Sequence, residues 1–246
     1  MLQTVGLNPF THSIIGIEMN FEYYYNNVPG IGLTRNNLIY TSLINTDKTV
    51  FVQWYHNDTE YHQGQNQVVD PAKMDEKWNR ELKYLKLMHG AYPHLVPKIL
   101  DIDEKHRKIY LQIDGPDLWQ RSLDINGSFY DVLPDWDTQM LDIIKAHKSL
   151  GLHKYSMHPS SYFIVNGCLK SINYFFTYHK SEPNISISDV ESHIYTTRQD
   201  IMKQHIESLG IKWDQTQPWT TFDMLCWESF STNYPKEFID RVKCIL

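Results

Sequence analysis

The sequence predicts an α+β fold in which an antiparallel sheet with one helix is followed by a mostly helical half. Three features predict it. β-branched and aromatic runs dominate residues 12–55, a helical repeat occupies 71–89, and beyond a breaker cluster at 114–118 the apolar residues recur at helical spacing. With 246 residues and 41% hydrophobic content, the chain has ample material for such a core.

Each element follows from local chemistry. Residues 12–25 and 37–43 are rich in Ile, Tyr, Thr and Phe, and 49–55 reads Thr-Val-Phe-Val-Gln-Trp-Tyr, so three strands are expected. The run from Val28 to Asn37 carries the Gly, Pro and Asn chemistry of a turn, and 57–70 is a second polar loop. Asp70-Pro71 then opens a helix with a capping residue and a proline at its first position. Trp78, Leu82, Leu85 and Met88 make its apolar face, and His89-Gly90 ends it. Two further strands are expected at 95–102 and 108–113, before the breakers Asp114-Gly115-Pro116-Asp117. Trp136, Met140, Ile143, Ile144 and His147 mark a long amphipathic helix, 162–178 a short β segment, and 189–209 another helix closed by Gly210. Pro218 and Pro235 stand where helices could start.

Charge and composition exclude several functions. Lys+Arg 23 against Asp+Glu 29 leaves a net charge of −6, so no basic field exists to hold nucleic acid or an anionic membrane. No run approaches the roughly 18–20 apolar residues of a membrane span, and the first residues lack the basic and apolar regions of a signal peptide. A cytoplasmic protein is expected. Cys168, Cys226 and Cys244 form no closely spaced pair and are expected as buried or inert thiols, not as zinc ligands or a disulfide framework. His147, His153 and His158 are the densest histidines. Without carboxylates at ligand spacing they are expected to be hydrogen-bonded structural residues, and no metal site is expected. The seven tryptophans are expected in packing, with a partner surface as the alternative.

Four segments carry a resemblance. Val-Phe-Val-Gln at 50–53 resembles the third-strand motif of protein kinase-like folds. Glu-Leu-Lys-Tyr-Leu-Lys-Leu-Met at 81–88, followed by Pro-His-Leu-Val at 93–96, is similar to that family's glutamate-bearing helix running into the fourth strand. Leu-Gln-Ile-Asp-Gly-Pro-Asp-Leu at 111–118 is similar to its fifth strand and hinge, and the segment from His147 to Phe175 resembles its catalytic and metal-binding loops. The resemblance implies a two-lobed kinase-like fold, with a β-rich lobe over 1–113, a hinge over 114–118 and a reduced, mostly helical lobe over 119–246. Met-His-Pro-Ser-Ser-Tyr-Phe at 157–163 is also similar to runs in uncharacterised proteins of tailed viruses of marine bacteria, which implies a host cytoplasm as the location.

Phosphoryl transfer asks a protein to position the nucleotide, hold magnesium and accept the substrate proton. The resemblance places Gln53 at the phosphate-gripping lysine, Ser156 at the catalytic aspartate, Ser161 at the magnesium-ligating asparagine and Asn173 at the metal-binding aspartate. A neutral amide supplies no point charge to phosphate. A serine hydroxyl is no base near neutral pH, and magnesium prefers anionic oxygen to an amide. Taking His153 instead of Lys154 as the loop's histidine gives Tyr155 and Ser160 in place of Ser156 and Ser161. No carboxylate appears either way, because no Asp or Glu lies between Asp142 and Glu182. Gly30-Ile-Gly32 gives only part of the spacing of a phosphate-cradling loop.

Glu81 is the one charged family position kept. It is either a solvated helix residue or points inward, where it would accept a hydrogen bond from the Gln53 amide. With these replacements, the resemblance implies a pseudokinase-like binding or scaffolding protein without catalytic residues. Its ligand cleft would comprise Gln53, Glu81, Ile113, Asp114 and Asn173. No metal or cofactor is expected, Mg-ATP included, and the partner would be an unidentified protein or small ligand. Two alternatives stand beside it: a divergent phosphotransferase or nucleotidyl transferase using Asp114, Asp117 or Asp189, and an unrelated α+β structural protein.

Overall fold

The computed structural model describes residues 10–14, 17–24, 41–56, 71–154, 157–175, 177–181 and 234–245. The turn expected at 28–37, the loop at 57–70 with its capping Asp70, Ser156, Asp189, the helix at 189–209, Pro218 and Cys226 lie outside these residues. Six strands, β1 (Phe10–Ile14), β2 (Ile17–Tyr24), β3 (Thr41–Asn45), β4 (Val50–Trp54), β5 (Ile99–Asp103) and β6 (Lys108–Gln112), form one sheet. Their spatial order is β1-β2-β3-β4-β6-β5, with every neighbouring pair antiparallel.

β4 is interior to this sheet because its side chains suit burial on both faces: Val50, Phe51, Val52 and Gln53 are all buried. The two-residue period of a strand sorts them. Ile44, Phe51, Ile109 and Leu111 join the main core, which also takes Met74, Trp78, Leu85 and Met88 of α1 (Pro71–Ala91). Leu43, Val50, Val52 and Tyr110 gather with Phe21 in a second cluster on the other face.

The strand expected at 37–43 is β3, which reaches Asn45, with 37–40 outside the described residues; three other boundaries differ from the sequence reading, each for a local reason. The run at 12–25 is two antiparallel strands with Ile14 opposite Ile17, and the sequence reading joined them because isoleucines stand on both sides of the break. α1 runs through Gly90, which is not among the residues with positive φ. A glycine closes a helix by turning left-handed, and here the helix stops instead ahead of Pro93, which opens a short 3-10 turn, Pro93–Leu95. The strand expected from 95 begins at Ile99, because Pro97 has no N–H to give a ladder.

The second half contains α2 (Leu118–Asp124), α3 (Phe129–Val132), α4 (Trp136–Ser149), β7 (Leu152–Lys154), β8 (Tyr162–Val165), β9 (Cys168–Ser171), β10 (Thr177–His179) and α5 (Lys236–Lys243). α4 buries the face expected of it: Trp136, Met140, Ile143, Ile144 and His147. The single β segment expected at 162–178 is a β8–β9 hairpin and a separate β10 that pairs with β7. Asn166 and Gly167, at φ 52° and 73°, form the two-residue turn that this hairpin requires. Pro235 caps α5, whose Phe238 meets Trp136 with ring centroids 4.7 Å apart.

One hydrophobic core takes residues from both sides of 114–118, among them Phe51, Leu111, Ile113, Leu118, Phe163 and Trp136. Cys168 and Cys244 are exposed, contrary to the expectation of burial. Cys168 follows the hairpin turn directly and Cys244 follows the last residue of α5. Among the described residues, no helix is long and apolar enough to cross a membrane.

Candidate functional site

Gln53, Ser161 and Asn173 meet between β4, the 3-10 turn before β8 and the loop after β9. Gln53 points from β4 into the core side and is fully buried. Its Nε2 donates to Asn173 Oδ1 at 2.9 Å, and Asn173 Nδ2 donates to Ser161 Oγ at 2.9 Å. Ser161 is fixed in a 3-10 turn, Pro159–Ser161, with its N–H on the carbonyl of His158 at 2.8 Å and its own carbonyl accepting from Ile172 at 2.9 Å. Asn173 adopts the left-handed region at φ 65°, which asparagine tolerates better than most side chains. Two amides and a hydroxyl, 120 residues apart at the widest step, therefore form a single buried relay. Ser156 lies outside the described residues.

Glu81 is fully buried on α1, which overturns the solvated alternative. Its expected partner is also corrected. Glu81 Oε2 accepts from the Tyr55 hydroxyl at 2.9 Å and from the Phe175 N–H at 2.8 Å, whereas the Gln53 amide goes to Asn173. Gln53 Oε1 and Glu81 Oε1 are both buried without a hydrogen-bond partner. Burial pushes the Glu81 carboxyl up to about 7, opposed by the Tyr55 hydroxyl, the charge of Lys154 and backbone N–H groups. Lys154 is itself buried, with Nζ 5.3 Å from the Tyr162 ring centroid and 5.5 Å from that of Tyr174. Arg80 completes the docking of α1: it donates to the Phe175 carbonyl at 3.5 Å and stacks on the Tyr178 ring at 4.0 Å. Neighbouring residues of the helix thus hold both backbone groups of Phe175.

Aromatic side chains fill the space between β4 and the β8–β9 hairpin. Phe51 and Phe163 are fully buried with ring centroids 4.8 Å apart. The Tyr24 ring stands edge-on to Phe51 at 5.6 Å and tilted to Phe163 at 6.3 Å. Its hydroxyl donates to Asp117 Oδ2 and accepts from the Asp117 N–H at 3.3 Å. Asp117 Oδ1 takes the Gln120 N–H at 2.8 Å, which caps α2, and Asp117 forms a β-bridge with Phe163. Burial raises the Asp117 carboxyl to about 7.

Of the other residues expected at the cleft, Ile113 is buried, with its N–H on the Thr49 carbonyl at 2.9 Å, and Asp114 is exposed. His147 and His158 have separate partners, the Tyr174 hydroxyl at 3.2 Å and the Ser160 hydroxyl at 2.8 Å. Burial lowers them to about 3 and about 4. Among the described residues, no three His, Cys, Asp or Glu side chains converge as metal ligands. The relay offers magnesium amide and hydroxyl oxygens with no anionic ligand, a poor match to a hard divalent cation.

Sequence reasoning missed Tyr24, Phe51 and Phe163 as cleft residues, and Tyr55 and Lys154 as partners of Glu81. Phe51 carried a legible signal, being a large ring within a run of small β-branched neighbours. The Tyr24–Asp117 contact joins residues 93 apart and had no signal in spacing.

Neither the family models nor the curated proteins give a match to this sequence. Among solved structures, the bifunctional kinase-methyltransferase WbdD is similar at a TM-score of 0.44 and 12% identity, over 92% of this chain and 50% of that one. The chain spans about half the length of that neighbour. The chain is mixed α/β, and among the described residues its six-stranded antiparallel sheet is joined to several helices through one continuous core.

Proposed function

We propose that the chain is a kinase-like protein that does not transfer phosphate and works as a binding or scaffolding module, with its β-rich lobe over 1–113, hinge over 114–118 and helical lobe over 119–246. The observation that carries the reading is the Gln53–Asn173–Ser161 relay. The positions that would grip phosphate and metal in a kinase are spent on one another. No carboxylate lies within 143–181 to replace them, and Phe51, Phe163 and Tyr24 occupy the space beside them. Glu81, deprived of a lysine at 53, docks α1 on Tyr55 and Phe175 and so keeps the helix in place without nucleotide.

The competing reading, a divergent transferase, finds its best candidate in Asp117, whose carboxyl lies near 7, where an acid or base works at neutral pH. Both of its oxygens are engaged, one in capping α2 and one with Tyr24. The two readings differ in a melting experiment. Mg-ATP should leave the melting temperature of the full chain unchanged, and a magnesium-dependent rise of several degrees would reject the binding-module reading.

A further inference from the structure

We propose that Asn166-Gly167, the turn of the β8–β9 hairpin, is a site of self-modification, where the asparagine cyclises onto the glycine and reopens as aspartate or isoaspartate, and that the isoaspartate form releases the hairpin from α4. An asparagine followed by glycine is open to attack by the next main-chain nitrogen, because glycine puts no side chain in the way. The Gly167 nitrogen gives its proton to hydroxide and bonds to Asn166 Cγ. The Cγ–Nδ2 bond breaks, and Nδ2 leaves as ammonia after taking a proton from water. The five-membered imide then takes up one water. Opening at Cγ gives aspartate with the original main chain; opening at the main-chain carbonyl gives isoaspartate, in which the chain runs through Cγ. The sum is amide plus water going to carboxylate plus ammonium, with nothing oxidised or reduced.

The sequence holds this dipeptide twice, at 126–127 and at 166–167, and the fold separates the two. Both asparagines are exposed and left-handed, Asn126 at φ 50° and Asn166 at φ 52°. The Gly127 N–H donates to the Ser122 carbonyl at 3.0 Å. The Ile125 side chain and Asp131 Oδ2 stand 3.0 and 3.1 Å from where a Cβ on Gly127 would lie. The nucleophile of that pair is thus bonded and hemmed in. Gly167 differs on both counts. Among the described residues no hydrogen bond takes up its N–H, and beyond its chain neighbours nothing stands within 4 Å of where its Cβ would lie. The peptide between Asn166 and Gly167 can rotate to bring nitrogen onto Cγ, since glycine accepts either sign of φ.

The hairpin pairs from Tyr162 opposite Ser171 to Val165 opposite Cys168, which leaves a two-residue loop. Isoaspartate adds a methylene to the main chain, and a loop of that length has no slack for it. Gln139 of α4 clamps the far side of the turn: its Nε2 donates to the Gly167 carbonyl at 3.2 Å, and its Oε1 accepts from the Leu169 N–H at 2.7 Å. A lengthened turn carries both groups away from Gln139. Aspartate, with its main chain unaltered, leaves the clamp in place.

The test is to age the full chain at mildly alkaline pH and map its peptides after proteolysis, separating aspartate from isoaspartate. In the folded protein the peptide holding Asn166 should convert several-fold faster than the one holding Asn126, and in urea the two should convert alike. A fraction melting several degrees lower should grow in step with isoaspartate at 166. Asn166→Gly keeps a pair suited to the turn and has no side-chain amide, so it should age without that loss. Freshly purified Asn166→Asp should melt with the wild type. Equal rates at 126 and 166 in the folded protein, or no conversion at 166, would overturn the site. Isoaspartate at 166 with melting unchanged would overturn the release from α4.

Discussion

Replacing Glu81 by glutamine tests whether the docking of α1 depends on a carboxylate or on a neutral acid. Burial raises the Glu81 carboxyl from 4.5 to about 7. Each tenfold change in proton affinity is worth about 1.4 kcal/mol, so ionising Glu81 costs about 3 kcal/mol more in the fold than in the unfolded chain. The sign follows from linkage. Between pH 4.5 and 7 the folded state binds the extra proton, so this contribution is present in full below 4.5 and is lost as pH rises through 7. Glutamine keeps an oxygen for the Tyr55 hydroxyl and the Phe175 N–H and never ionises. It also brings an N–H₂ to the site of Glu81 Oε1, which has no partner. Glu81→Gln should therefore gain about 3 kcal/mol relative to wild type at pH 8, measured against their difference at pH 4. Urea unfolding followed by tryptophan fluorescence reads this directly, since Trp78 and Trp136 are buried. Asp117 adds a slope of the same sign and His147 and His158 add opposite ones, but these cancel when variant and wild type are compared. A variant that loses stability at pH 8 relative to pH 4 would instead show Glu81 to be an ionised partner of Lys154.

Two further outcomes follow from the same site. Asn173→Ala leaves Gln53 Nε2 and Ser161 Oγ without their partner and places a Cβ-bearing aliphatic residue at φ 65°; a loss of about 2–4 kcal/mol is expected by urea unfolding, and a loss below about 0.5 kcal/mol would mean that the relay does not hold the loop. His147 is kept neutral by burial, down to about 3, so its contribution is present above pH 6.5 and is lost as pH falls toward 3. His147→Gln should reduce the acid loss between pH 8 and pH 5 by about 2 kcal/mol, and an unchanged pH profile would show that His147 is hydrated or charged.

Much of the fold was legible because it rests on local pattern. Thr49 to Tyr55 is a run that suits an interior strand, and α1 and α4 bury the faces their apolar spacing marked. What was missed has physical causes. β1 and β2 read as one strand because isoleucines at 14, 15 and 17 carry the apolar pattern across the break between them, and Gly90 stays helical because Pro93 ends the helix. The β8–β9 hairpin did have a signal, Asn166-Gly167, the dipeptide best suited to a two-residue turn. Of the site, residue types were readable and partners were not. Glutamine at 53 showed that a charge was gone, but whether its amide met Glu81 or Asn173 depended on which element lay nearer across the core. The sequence carries no periodicity that reports such a distance.

The unbroken core through 114–118 has a mechanical consequence. Two-part proteins that gate a ligand by closing need a hinge whose bending exposes little apolar surface. Here any bend at 114–118 would pull Phe51 from Phe163 and strip Ile113 and Leu118 of their neighbours. Bending there would therefore expose apolar surface that the core now covers. On the proposed reading as a binding module, a contact made on one half would be carried to the other through this shared core.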